Sequence, residues 1–238
     1  MKQHNDLIME LPGFIPEHLC THIINEYEKC PDNEKIEGRV LYNTKSFVDK
    51  SLKNSTEISI ENLIKGNIGD WKKMNEKLHN YIKLSTELYT KYLVNEYPGP
   101  INLENNQKLH TFESTLTAIK NDGVGQFDLV IQRQPKKAKY AWHYDYHPPQ
   151  SYLFGIIYLN TLKPEEGGQT TFLSGRQIRP EAGKIMLSPA SWTYAHSATE
   201  VKADYKYIIP FHVYHGNYHG ENTYYYWWPS STSESKYP

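Results

Sequence analysis

The sequence, 238 residues long, predicts a mainly β chain with supporting N-terminal helices. Two patterns carry that expectation. Residues 1–100 hold two stretches with helical apolar spacing, whereas the following residues break into short strand-like runs punctuated by Gly, Pro, Asn and Asp, as in an antiparallel sandwich or barrel. No long flexible linker divides the two parts. A single domain over 1–238 is therefore expected, with a helical support region over 1–100, a β core over 101–215 and an aromatic tail over 216–238.

The first segment, "LIMELPGFIPEHLCTHIINEYEKCP", reads as a short strand and then a helix starting near Pro16, since proline is favoured in the first helical turn. Leu19, Ile23, Ile24 and Tyr27 share its apolar face. Trp71, Met74, Leu78, Tyr81, Ile82, Leu88 and Tyr92 recur at helical spacing and predict a longer helix over Asp70 to Tyr92. Both helices are expected on one side of a sheet. Between them lies a polar stretch with strand-like pieces, "GRVLYNTKSFVDKSLKNSTEISI". After the turn-rich "YPGPINLENN", the strand candidates are "FDLVIQRQ", "YAWHYDY", "SYLFGIIYLN", "GQTTFL", "GKIMLSP" and "YKYIIPFHVYH".

Charge narrows the range of partners. With 26 basic and 27 acidic residues spread along the chain and a formal charge of −1, there is no footprint for nucleic acid or an anionic membrane. The N-terminus lacks the apolar core of a signal peptide, and "YLFGIIYL" is too short to span a bilayer. A soluble, cytoplasmic protein is expected, in a host cytoplasm if the chain is phage-encoded. Cys20 and Cys30 have neither disulfide-framework nor zinc-finger spacing, so they read as reduced structural thiols.

The chemistry gathers in "WHYDYHPPQ". In an extended strand His143 and Asp145 project to one face, which starts a divalent metal site from an imidazole and a carboxylate. By itself a His-x-Asp pair is common. A third donor would complete a facial triad of two histidines and one carboxylate, leaving positions on iron(II) open for cosubstrate and oxygen. His196, in "SPASWTYAHSA", follows a candidate strand and turn from which it could face the pair. Lys206 opens the last strand, and alternation places Lys206, Ile208, Pro210 and His212 on one face. Lys206 would then lie deeper than the metal, where it could bind the far carboxylate of a short diacid.

In order along the chain, "HYD", "IIYLN", "EEGGQTTF", "IRPEAGKIMLSPASWTYAH" and "KYII" resemble the iron(II)- and 2-oxoglutarate-dependent dioxygenases, in particular the prolyl 4-hydroxylase-like branch of phage and bacterial type. The resemblance covers about Val130 to Val213, with a weaker echo in "LPGFIPEHLCTHII". It implies a double-stranded β-helix, or jelly roll, which agrees with the strand pattern. It further implies that His143, Asp145 and His196 bind Fe(II), that Lys206 pairs with the distal carboxylate of 2-oxoglutarate, and that Tyr158 hydrogen-bonds the same carboxylate. O2 is the co-reactant, succinate and CO2 the co-products, and ascorbate a possible reductant. A prolyl residue in a peptide or protein is the substrate class implied. Alternatives are a free amino acid, another side chain or a small metabolite, and, from a different class, a non-catalytic jelly roll that retains metal.

Two positions depart from the family pattern. Gln134 stands where the family often has a tyrosine, nine residues before the first histidine, and its amide can still serve the cosubstrate. His212 stands where a tryptophan usually neighbours the substrate, six residues after the lysine. With Tyr140 and Trp142 at the cavity mouth, His212 is a candidate substrate contact. For Trp142, packing on the outer face is the alternative.

Other features have plainer readings. His147 precedes two prolines and is expected at the pocket rim. His215 and His219 lie where Gly216 and Gly220 oppose a helical metal motif. Arg133, Lys136, Lys137 and Lys139 read as a solvated loop ahead of the metal motif. Gly167, Gly168 and Gly183 read as turn residues, Thr170 and Thr171 as sheet residues. Ser188 and Ser191 lack a hydrolase elbow.

Overall fold

The computed structural model describes residues 6–42, 45–96, 101–102, 107–108, 124–126, 129–145 and 151–215. His147, His219 and the aromatic tail singled out in the sequence lie outside these residues.

Strand β1 (Met9–Leu11) and helix α1 (Glu17–Lys29) open the chain, followed by β2 (Ile36–Glu37), β3 (Val40–Tyr42), β4 (Lys45–Phe47) and β5 (Thr56–Ser59). Helices α2 (Ile60–Lys65) and α3 (Trp71–Glu96) come next. The remaining strands are β6 (Ile101–Asn102), β7 (Gln107–Lys108), β8 (Val124–Gln126), β9 (Val130–Pro135), β10 (Tyr140–His143), β11 (Ser151–Tyr158), β12 (Thr170–Phe172), β13 (Gln177–Ile178), β14 (Ile185–Pro189), β15 (His196–Ala198) and β16 (Tyr205–His215).

Pro16, with φ −58°, sits just ahead of α1, and Glu17 and Lys29 complement the helix dipole at its two ends. Its buried face is Leu19, Cys20, Ile23 and Tyr27, with Ile24 partly covered. The predicted long helix runs four residues beyond Tyr92, to Glu96. Its buried stripe is Trp71, Met74, Leu78, Ile82 and Tyr89, whereas Leu88 is 41% exposed. Ser85, Thr86 and Thr90 extend that stripe, which apolar spacing alone could not show, because their hydroxyls bond to carbonyls three or four residues back and so bury without an unpaired donor. The short helix α2, unforeseen in the sequence, is capped by Ser59, whose side chain accepts from the Asn62 amide.

Two antiparallel sheets form the jelly-roll core. The larger has eight strands in the order β1-β14-β11-β16-β9-β5-β2, with β8 also paired to β16; the smaller has four, β10-β15-β12-β13. Residues 6–96 thus supply β1, β2 and β5 to the larger sheet as well as the helices. Alternation divides each central strand. Leu153, Ile157, Ile185, Leu187, Tyr207, Ile209, Phe211 and Val213 join the residues of α1 and α3 in the main core. Phe154, Ile156, Tyr158, Met186 and Ile208 meet Phe172 and Ile178 of the smaller sheet in a second core. Cys20 and Cys30 are free and buried. Among the described residues no helix is long and apolar enough to cross a membrane.

This division gives a direct check. Ile157→Ala, at a fully buried position of a central strand, is expected to cost about 2–5 kcal/mol in chemical denaturation. Leu88→Ala, on the solvent side of α3, should change stability by less than about 0.5 kcal/mol.

Candidate active site

The inner space between the sheets collects the predicted polar residues. His143 closes β10, His196 opens β15, and the two are cross-strand partners. Asp145 lies just past the end of β10, so its approach to His143 comes from the turn away from the sheet and not from strand alternation. One donor atom each from His143, Asp145 and His196 lies within 4.8 Å of the others. His143 Nε2 is 3.6 Å and His196 Nε2 3.2 Å from Asp145 Oδ2.

Both imidazoles are oriented by backbone. His143 Nδ1 lies 2.8 Å from the Ala141 carbonyl and His196 Nδ1 3.2 Å from the Tyr194 carbonyl. A carbonyl accepts, so each Nδ1 carries the proton and each Nε2 turns a lone pair toward Asp145. Packing fixes the rings further. His196 stacks on Phe154 at 4.9 Å and lies 5.4 Å from Phe172. Burial pushes His143 down to about 4, although Asp145 opposes the shift, which keeps its imidazole neutral. Burial alone would raise Asp145, but the imidazoles of His196, His143 and His212 around it outweigh that and hold the carboxyl below its ordinary range. Two imidazoles and one ionised carboxylate, with donor atoms converging on one point, fit a divalent transition metal.

The second predicted feature is the buried cation. Lys206 is 1% exposed and pushed down to about 7 by burial. Among the described residues its Nζ has no hydrogen bond or ion pair and meets only the Tyr158 ring, at 5.8 Å. Gln134 faces Lys206 across β9 and β16, is 4% exposed, and leaves Oε1 without a partner. The Tyr158 hydroxyl pairs with Thr170 Oγ1 at 2.8 Å. Gly168, at φ +71°, lets the backbone lie against the lysine stem, where a Cβ would stand 3.2 Å from Lys206 Cδ. A buried ammonium with no anionic partner among the described residues fits an anionic group such as the carboxylate of a small diacid.

Thr170 is therefore more than a sheet residue: with Phe172 it forms the inward set of β12, a parity that "TTF" carries in the sequence. Ser188 also faces inward, level with Phe154 and His212, and its Oγ has no partner among the described residues. His212 Nε2 lies 4.0 Å from Asp145 Oδ1, on the inner face that alternation predicted.

Tyr140 departs from simple alternation. A bulge between Tyr140 and His143 shifts the β10–β15 register and brings the two rings together, with centroids 3.7 Å apart and planes at 22°. Trp142, on the opposite face, is 55% exposed, and Tyr144 is 57% exposed. Arg133 points away from the site, paired with Glu28 and held over the rings of Tyr27 and Tyr205. Lys136, Lys137 and Lys139 are exposed, as a solvated loop requires.

Comparison with known proteins places this geometry. Residues 129–214, which contain all three candidate metal donors and Lys206, match the sequence profile of the 2OG-Fe(II) oxygenase superfamily. No match to a curated protein was found by sequence. The fold is similar to that of a viral collagen prolyl hydroxylase from Paramecium Bursaria Chlorella virus-1 in complex with 2OG, with TM-score 0.54 and 14% identity over 89% of this chain and 97% of that one. It is also similar to a Trichoplax adhaerens prolyl hydroxylase in complex with a hypoxia inducible factor peptide fragment, with TM-score 0.59 and 11% identity over 89% and 84% of the two chains. A Pseudomonas putida prolyl-4-hydroxylase gives TM-score 0.56 and 12% identity over 87% and 92%. Over residues 129–214 the chain thus matches the 2OG-Fe(II) oxygenase superfamily profile, and its fold is similar to that of these prolyl hydroxylases.

Proposed function

We propose that this protein hydroxylates prolyl residues of a peptide or protein, with His143, Asp145 and His196 holding Fe(II) and Lys206 anchoring 2-oxoglutarate. The observation that carries the reading is the pairing of a three-donor cluster within 4.8 Å with a fully buried lysine that has no anionic partner among the described residues. The Trichoplax adhaerens protein of similar fold was solved with a peptide fragment, which supports a peptide substrate. Exposed Trp142, Tyr144 and Trp192, beside the candidate ligands in sequence, offer apolar surface for an extended chain. We take 1–238 as one oxygenase domain. Its free, buried Cys20 and Cys30 suit a reducing cytoplasm.

When bound, iron(II) with 2-oxoglutarate supplies oxygen activation, with succinate and CO2 as co-products. The chain's own residues do the rest. His143 and His196 present neutral Nε2 lone pairs because their Nδ1 protons are committed to carbonyls. Lys206 would donate to the distal carboxylate, with Gln134 and the Tyr158–Thr170 pair around it. Phe154, Phe172 and Ile156 exclude water from the space between. His212 and Tyr140 line the side left for substrate.

Three measurements test this reading. Anaerobic addition of Fe(II) and 2-oxoglutarate should give a visible metal-to-ligand charge-transfer band in the native protein and none in His143→Ala, Asp145→Ala or His196→Ala; no band in the native protein would sink the cofactor assignment. Proline-containing peptides incubated aerobically should gain the mass of one oxygen. Gain on free proline alone would move the substrate to a free amino acid, and no turnover of any substrate would favour a metal-retaining binding module.

The third measurement concerns pH. Burial pushes Lys206 down to about 7, and a bound carboxylate favours its ammonium form. Above that value each 2-oxoglutarate must bring a proton with it, so affinity should fall as pH rises from 7 to 9, by up to about tenfold per unit. Calorimetry of the metal-loaded protein at pH 8, in buffers of different ionisation heat, should register proton uptake. Lys206→Met should abolish that uptake and bind about tenfold to a hundredfold more weakly.

A further inference from the structure

Outside the candidate ligands, the most heavily buried charge pair close to the site among the described residues is Lys53 with Glu57. Both residues are 7% exposed, and Lys53 Nζ lies 2.6 Å from Glu57 Oε1. Ser55 Oγ donates to the same carboxylate oxygen at 2.8 Å, and Lys53 Nζ also reaches the Arg39 carbonyl at 3.4 Å. Gly38 closes over the group: its amide donates to the Ser55 carbonyl at 2.8 Å, and a Cβ there would collide with Ser55 Oγ. Fold stability gives little reason for such a pair, because two apolar residues of similar volume usually serve as well or better.

Its surroundings suggest what it does. Lys53 Nζ lies 5.5 Å from the centre of the Tyr140 ring, and the bulge in β10 stacks Tyr140 on His143. The backbone repeats the connection. Lys53 bridges Tyr140 in antiparallel fashion, the Ala141 amide donates to the Leu52 carbonyl at 2.8 Å, and the Ala141 carbonyl accepts from His143 Nδ1. One short segment therefore holds the ring beside His143 and the carbonyl that sets its tautomer.

We propose that the Lys53–Glu57 pair is a positioning element for the metal site, acting through Tyr140 to fix the His143 imidazole. Glu57 holds the ammonium in place, the ammonium holds the Tyr140 ring, and the ring confines the rotation of His143 about its side-chain bonds. The inference rests on the assignment of His143 as a metal donor. It gives Tyr140 a role independent of any substrate contact.

Anaerobic Fe(II) titration of the full chain tests it. Lys53→Met combined with Glu57→Leu and Ser55→Ala removes both charges and the hydroxyl that Glu57 accepts from, leaving no buried charge unpaired; this variant should keep the native melting temperature within a few degrees and bind Fe(II) about tenfold more weakly. Tyr140→Leu should weaken binding by a similar factor and Tyr140→Phe should not, since phenylalanine keeps the ring. Adding the Lys53, Ser55 and Glu57 changes to Tyr140→Leu should produce no further loss, because the pair acts through that ring. Native affinity in the folded triple variant or in Tyr140→Leu, or losses that multiply when combined, would overturn the inference and leave the metal assignment standing. Should the triple variant not fold, the contrast between Tyr140→Leu and Tyr140→Phe decides alone. A native protein that binds no Fe(II) would remove the site assignment and this inference together.

Discussion

A buried ammonium and a buried carboxylate share the inner space of this sandwich without pairing with each other, and the rest of the architecture follows from keeping them so. In a low-dielectric interior, opposite charges free to approach would join and fill the site. Strand β16 prevents that. Lys206 and His212 stand on the same face, six residues apart on one extended strand, and His212 lies at the Asp145 end. The strand is hydrogen-bonded on both sides, to β11 and to β9, and its outer face is locked into the helical core by Tyr207, Ile209, Phe211 and Val213. The helices of residues 1–100 thus bear on the site indirectly, by making its longest strand stiff.

The smaller sheet has the opposite character. Its strands are two to four residues long, yet it carries His143 and His196. Short strands supply few ladder bonds, so precise placement there must come from contacts across the interior and at the edge. Phe154 reaches across from the larger sheet to stack on His196, and the Leu52–Lys53 segment lies along the free edge of β10. Each imidazole is also tied to a carbonyl two residues back, a local device independent of sheet length.

Much of this was legible in the sequence where a period was long enough to read. Leu153–Tyr158 of β11 and Tyr205–Val213 of β16 divide alternately between the two cores, so spacing assigns Lys206 and His212 to the inner face. The long helix was visible for the same reason, although Leu88 was misplaced because hydroxyl residues, not leucines, continue the buried stripe near Ser85 and Thr86. The motifs marked His143, Asp145 and His196 through resemblance. What spacing could not show was the geometry of short or irregular pieces. Strands β13 and β15 are two and three residues long, too short for any period. The bulge that turns Tyr140 toward His143 reverses the parity that alternation assigns, and the approach of Lys53 to Tyr140 joins segments far apart in the chain.

The departures from the family pattern fall at opposite ends of the same space and have different physical consequences. At the lysine end, Gln134 brings an amide with two donors and one acceptor where a phenol would bring a single hydroxyl. With Gln132 inward on the same strand and Glu57 opposite it in register, that wall is more polar than the Phe154–Ile156–Met186 wall facing it. A carboxylate anchored by Lys206 would therefore sit against amides on one side and hydrocarbon on the other, which orients a short diacid without adding a second cation. At the metal end, His212 replaces a large apolar indole with a smaller ring near Asp145 Oδ1. Its ring brings a polar edge beside the candidate ligands. On the proposed reading, selection among substrates is thereby concentrated at His212 and the exposed Trp142 and Tyr144, while cosubstrate anchoring stays with Lys206.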